Sequence, residues 1–171
     1  MFKCSYFELF GLPVQFDLDR TVLTGAFREL QARYHPDKFA HASDAEQRES
    51  LQASSFINQA YQALKSPAHR AAYMLELAEG KVRTHHTMRP DPEFLMQQMM
   101  WRESLAEASD LAAVEAVLDD VGGDIPRVAA AFDTAYRAGD FENAHHAVDK
   151  LQFMYKLMSE AEAKEARLLD E

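Results

Sequence analysis

The sequence predicts an all-α protein made of two helical units. Alternating Val, Ile and Thr runs that would mark strands are absent, whereas capping signals recur along the chain. Between those signals apolar residues return every three or four positions, the period of a helix face. Charge separates the units. Residues 1–80 carry 8 basic and 10 acidic side chains, while residues 81–171 carry 10 and 18. Gly80-Lys81-Val82-Arg83-Thr84-His85-His86-Thr87-Met88-Arg89-Pro90 has a helix-stopping Gly at one end, a Pro at the other and no apolar period, so 80–90 reads as a linker. The units are then 1–79 and 91–171.

In the first unit Tyr6, Phe7, Leu9 and Phe10 form a short apolar turn closed by Gly11-Leu12-Pro13. A second helix starts at Asp19 and carries Val22, Leu23, Ala26, Phe27, Leu30 and Tyr34 as an i, i+4 ladder. Gly25 inside it costs up to about 1 kcal/mol relative to Ala. The third opens with Ser43-Asp44-Ala45-Glu46, in which hydroxyl and carboxylate satisfy backbone amides reciprocally. Its apolar face is Ala53, Phe56, Ile57, Ala60, Tyr61 and Leu64, so the two helices can pair as an antiparallel hairpin. A fourth has Ser66 as N-cap and Pro67 in the first position, where a missing N–H is harmless.

In the second unit Asp91-Pro92-Glu93 repeats that start signal for a helix over about 92–108. Asp110 begins another. Gly122-Gly123-Asp124-Ile125-Pro126 is expected to bend or break it before Ala129 to Arg137 resume. The last helix runs from about Asp140 to Leu169, with Phe141, Ala144, Val148, Leu151, Tyr155 and Met158 in the 3, 4 spacing of a bundle seam. The second unit is thus an antiparallel three-helix bundle.

Composition narrows the function classes. A net charge of −10 argues against wrapping phosphate backbones. The longest apolar runs, such as Ala71 to Leu75, cover five residues, far short of the roughly 20 that span a bilayer. Glu8 interrupts any signal-like stretch at the amino terminus, so the expected location is the cytoplasm. A lone Cys4 builds neither an internal disulfide nor a thiolate zinc site.

One motif stands out. His35-Pro36-Asp37-Lys38-Phe39 joins the second and third helices, and Pro36 pushes His35 out of the α region, making the tripeptide a stiffened, exposed corner. Alone, it reads as a turn. Here it sits between two amphipathic helices, with Tyr6-Phe7-Glu8-Leu9-Phe10-Gly11-Leu12 upstream and Ile57-Asn58-Gln59-Ala60-Tyr61-Gln62-Ala63-Leu64, Pro67, Arg70 and Tyr73 downstream. This arrangement, over about Tyr6 to Glu79, closely resembles a J domain. The resemblance implies a co-chaperone whose hairpin docks on a DnaK-type chaperone and stimulates its ATPase, with His35, Pro36 and Asp37 as trigger. On a helical wheel Thr21, Thr24, Arg28 and Gln31 lie about 80–160° from Leu23, on a solvated flank beside His35. Arg28 is the basic residue best placed for docking, with Lys38 next to the corner; J domains usually carry more basic residues on this helix.

On the helix after Asp91, Phe94, Trp101, Leu105 and Ala108 cluster within about 60° and make a core stripe. Leu95, Met96 and Met99 lie on the other side beside Arg102 and Glu103. Phe153 points about 160° away from Leu151 and Tyr155, off the seam. The second apolar face is covered either by a helix of the same bundle or by another protein; flexible Met side chains beside a charged rim suit the latter. The whole chain resembles the HscB-type iron-sulfur cluster co-chaperones. That resemblance implies that Leu95, Met96, Met99, Arg102, Glu103 and Phe153 hold the scaffold protein IscU while the J domain recruits the chaperone HscA. Met100 departs from the family pattern, where an acidic residue is common.

A generalist DnaJ-like protein would add a Gly/Phe-rich stretch and a Cys cluster, and neither is present. A helical metalloenzyme or hydrolase would need converging ligands or a nucleophile. His145 and His146 diverge by about 100° on a helix, His85 and His86 fall in the linker, and surface positions are expected for them. No phosphate loop, nucleophile elbow or HExxH pattern occurs, so no enzymatic activity, cofactor or metal is expected.

Overall fold

The computed structural model describes residues 4–81 and 91–170. Among them are α-helices and one 3₁₀ turn, with no strand. The chain divides into two compact units, 1–78 and 79–171. Most of the predicted linker, with His85 and His86, lies outside the described residues.

In the first unit α1 spans Tyr6–Leu9, α2 Arg20–Tyr34, α3 Asp44–Lys65 and α4 Pro67–Glu79, with a 3₁₀ turn at Pro36–Phe39. The predicted caps are present: Asp19 accepts from the Thr21 and Val22 amides, and Ser43 and Glu46 form a reciprocal capping box. Gly11, at φ 65°, ends the short first helix in the left-handed conformation. α1 is held by aromatic contacts. Tyr6 stacks on Tyr73 at 4.3 Å, and the Tyr6 amide donates to the Tyr73 hydroxyl at 3.0 Å. Phe7, Leu23, Ile57, Leu64, Met74 and Leu75 fill the core beneath.

α2 and α3 pair antiparallel, as contacts from Thr24 to Tyr61 and from Tyr34 to Ser50 show. Two details differ from the sequence reading. Val22 is exposed, because the hairpin buries a narrower face of α2 than the ladder implied, with Leu23 its one fully enclosed side chain. Thr24 and Gln31, placed on a solvated flank, instead meet α3: Thr24 lies 3.3 Å from the Tyr61 hydroxyl, and Gln31 donates to Asn58 at 2.7 Å.

In the second unit α5 spans Pro92–Glu107, α6 Leu111–Arg137 and α7 Phe141–Leu169. Asp91 lies against Lys150, and Leu105 against Lys164, so α5 and α7 run parallel with α6 antiparallel to both. α6 is one unbroken helix, contrary to the expected interruption at 122–126. An internal Pro costs about 3 kcal/mol, but Val114, Val117, Val121, Val128 and Phe132 are all buried along one face, and that shared face holds the helix together across Pro126.

The seam of α7 also departs from the heptad. Ala144, Val148 and Leu151 are buried as expected, but the stripe continues through Met154, Leu157 and Ala161, leaving Tyr155 and Met158 half-buried. α7 contacts both α5 and α6, and a helix facing two neighbours buries a wider arc than one a/d seam. His145 is buried and His146 is mostly buried against Asp91, so neither is the surface residue expected.

Candidate functional site

Two separate surfaces emerge, one in each unit. In the first, α2 ends at Tyr34 and His35 adopts φ −63°, ψ 129°, the extended conformation that the following Pro requires. Pro36 starts the 3₁₀ turn, which the Lys38 amide closes onto the His35 carbonyl at 3.0 Å. The corner is open to solvent: the His35 side chain is 52% exposed and that of Asp37 is 90% exposed. The Asp37 amide donates to His35 Nδ1 at 3.3 Å, which places the proton of the neutral imidazole on Nε2 as a donor available to a partner. The Asp37 carboxylate lies 3.5 Å from Nδ1, so protonation there would convert this contact into an ion pair. Arg28 and Lys38 are both exposed. The corner therefore offers a donor, a carboxylate and the Lys38 cation on one exposed turn, with Arg28 exposed on the preceding helix.

In the second unit, α5 divides as predicted. Phe94, Trp101 and Leu105 are buried, whereas Leu95, Met96 and Met99 are 57%, 66% and 65% exposed. Met100, at 58%, belongs to the same exposed face, one turn beyond Met96. Arg102 and Glu103 flank it and are exposed. Phe153, which lies off the α7 seam, is partly covered by a helix of the same bundle, one of the two possibilities left open by the sequence. It is half-buried, edge-on to Phe94 at 5.9 Å and stacked on Trp101 at 6.5 Å, because α5 covers the side of α7 that the heptad leaves free. Arg102 lies over its ring at 5.2 Å and pairs with Glu160 at 3.3 Å, so these two predicted residues form a single shelf.

The start of α5 is fixed by a polar node that the sequence signalled only as an N-cap. Asp91 accepts from the Phe94 amide at 2.9 Å, from Lys150 at 2.7 Å and from His146 at 3.0 Å. The Lys150 hydrogen bond, followed by the Phe94 amide, holds the Asp91 carboxyl well below the usual carboxylate range. Farther along, Trp101 Nε1 donates to Asp120 on α6 at 2.6 Å, and Lys164 on α7 caps the α5 carbonyls of Leu105 and Ala106. Periodicity marks Trp101 as buried but cannot name its acceptor on another helix. Among the described residues no group of His, Cys, Asp or Glu is placed to hold a metal, and no helix is long and apolar enough to cross a membrane.

With this geometry in view, comparison with known proteins gives concordant results. Residues 5–73 match the DnaJ domain, and residues 90–162 match the family described as the HSCB C-terminal oligomerisation domain. A co-chaperone protein HscB homolog of Photobacterium profundum is 42% identical over 170 residues, covering 97% of this chain and 99% of its own. One from Cupriavidus taiwanensis is 40% identical over 171 residues, covering 98% and 97%. The chaperone HscB from Vibrio cholerae superposes with a TM-score of 0.81 at 38% identity, covering 96% of this chain and 99% of that one. Human co-chaperone HscB gives 0.84 at 27% identity, covering 95% and 82%.

Proposed function

The chain belongs to the HscB family of J-domain co-chaperones, and from that membership we propose that it serves iron-sulfur cluster assembly by delivering an IscU-type scaffold to an HscA-type chaperone and stimulating its ATPase. The observation that carries this reading is the pairing, in one chain, of an exposed His35-Pro36-Asp37 corner with an exposed Leu95, Met96 and Met99 face.

The two ends have different tasks. At the first, Arg28 and Lys38 steer the encounter with the chaperone, while His35 Nε2–H and the Asp37 carboxylate engage its polar groups. Pro36 keeps the pair in one geometry, which lowers the conformational entropy lost on docking. At the second, Leu95, Met96 and Met99 bury apolar surface against the scaffold, with Arg102, Glu103 and the edge of Phe153 at the rim. Flexible Met side chains let that surface adjust to its partner. Holding both proteins together raises the scaffold's effective concentration at the chaperone without any new contact between them.

The test is the ATPase rate of purified HscA with this protein alone, with IscU alone and with both, repeated with His35→Gln. Synergy that disappears in the variant is the expected result. Stimulation indifferent to IscU would leave a J-domain co-chaperone for another client, and normal stimulation by the variant would return the corner to the status of a turn.

A further inference from the structure

Two buried hydroxyls of the first unit, those of Ser50 (2% exposed) and Ser54 (8%), sit mid-helix on α3 and are both directed at the last turn of α2. Ser50 Oγ donates to the Tyr34 carbonyl at 2.9 Å. Ser54 Oγ donates to Gln31 Oε1 at 3.4 Å, and the other end of the Gln31 amide donates to Asn58 Oδ1 at 2.7 Å. Tyr34 immediately precedes His35, and Gln31 stands one turn earlier.

Apolar packing alone would hold α2 on α3 with Ala at both places. Ala is the stronger helix former and buries no polar atom. What a hydroxyl adds is direction, because a hydrogen bond fixes where its acceptor points, whereas apolar contact tolerates sliding and rotation. The Tyr34 carbonyl belongs to the last turn of its helix, where acceptors lack an intrahelical donor, and Ser50 supplies one from the neighbouring helix. The orientation of that carbonyl sets the peptide plane from which His35 departs, and Pro36 then transmits it rigidly into the corner.

We propose that Ser50 and Ser54 are positioning residues for the trigger: they fix the last turn of α2 so that His35-Pro36-Asp37 leaves the hairpin at one defined angle. This rests on reading the corner as the chaperone trigger, and the test separates the two. Full-length wild type, S50A/S54A, S50T and H35Q are compared for maximal ATPase stimulation at saturating protein, for scaffold affinity and for the NMR signals of the His35 imidazole.

In the double Ala variant, maximal stimulation falls about fivefold or more, the low end of coupling between two sites, and the His35 ring signals shift. Its helical circular dichroism and scaffold affinity stay at wild-type values. S50T keeps the hydroxyl and keeps the stimulation. Full stimulation by S50A/S54A beside an inactive H35Q overturns the positioning role and leaves the trigger standing; full stimulation by H35Q overturns both. Should the double variant lose helical signal, folded S50A decides by the same readouts, with reduced stimulation supporting the role and full stimulation refuting it.

Discussion

Replacing Asp91 with Ala should loosen the start of α5 and with it the face that carries Leu95, Met96 and Met99. The carboxylate has two separable tasks. As N-cap it accepts the Phe94 amide, and losing such a cap costs about 1 kcal/mol. As an anion it accepts Lys150 at 2.7 Å and His146 at 3.0 Å, and a hydrogen bond to a charged group contributes about 1.5–3 kcal/mol. Its side chain is only 24% exposed, so solvent screens the pair modestly. Asp91→Ala should therefore destabilise the second unit by about 3 kcal/mol, and Asp91→Asn, which keeps a good cap, by about 2 kcal/mol. Trp101, the single Trp of the chain, reports on this bundle, so urea unfolding followed by its fluorescence is the assay.

The pH dependence gives a second check. The folded-state pKa of Asp91 is depressed, so its contribution is fully present above the unfolded value near 3.9 and is lost as pH falls below that value toward the native one. The stability gap between wild type and Asp91→Asn should shrink as pH falls from about 5 toward about 2, across the range in which the carboxylate takes up its proton. An Asp91→Ala protein with the wild-type urea midpoint would refute the node, and equal losses for Ala and Asn would refute the division between cap and charge.

Three further outcomes follow from the same packing. Phe153→Ala should cost about 2–3 kcal/mol and alter Trp101 fluorescence, since the ring stacks on Trp101, whereas Leu95→Ala should change stability by less than about 0.5 kcal/mol. Both should weaken scaffold binding in calorimetry; unchanged affinity for Leu95→Ala would remove α5 from the interface. Gly123→Ala should stabilise the bundle by about 1 kcal/mol in thermal unfolding, because the site is helical and a Cβ meets nothing within 4 Å; a lower melting temperature would contradict this packing. Pro126→Ala should also stabilise, by restoring the amide hydrogen that α6 lacks at that position, and a drop in melting temperature would count against the unbroken helix.

Much was legible in the chain because it depends on neighbours in sequence. The caps at Asp19, Ser43, Asp91, Asp110 and Asp140, the extended backbone before Pro36 and the division of α5 into buried and exposed faces all follow from local hydrogen bonding, ring geometry and a period of 3.6 residues. The exposure of the His35-Pro36-Asp37 corner and of Leu95, Met96 and Met99 came from the same signals, whereas the roles proposed for them rest on the family resemblance. Pattern misled where another element decided the outcome. The break forecast at Gly122 to Pro126 was a statement of propensity, overridden by a buried face that runs through it. Phe153 was off the seam for one partner helix and became half-buried because α7 has two. His145 and His146 looked like surface residues, yet one is buried and the other meets Asp91, which lies 55 positions earlier.

The hydroxyls of Ser50 and Ser54 show the same boundary. The apolar pattern of α3 did not single them out, and although they share the buried face with Ile57, their acceptors, Tyr34 and Gln31, lie on another helix. Local sequence thus determined which segments are helical, where they begin and which corner stands exposed, since those energies are set within a few residues. Tertiary structure decided which polar groups meet, whether a marginal helix stays whole and which aromatic ring remains accessible, because each depends on contacts between residues that chain order leaves far apart.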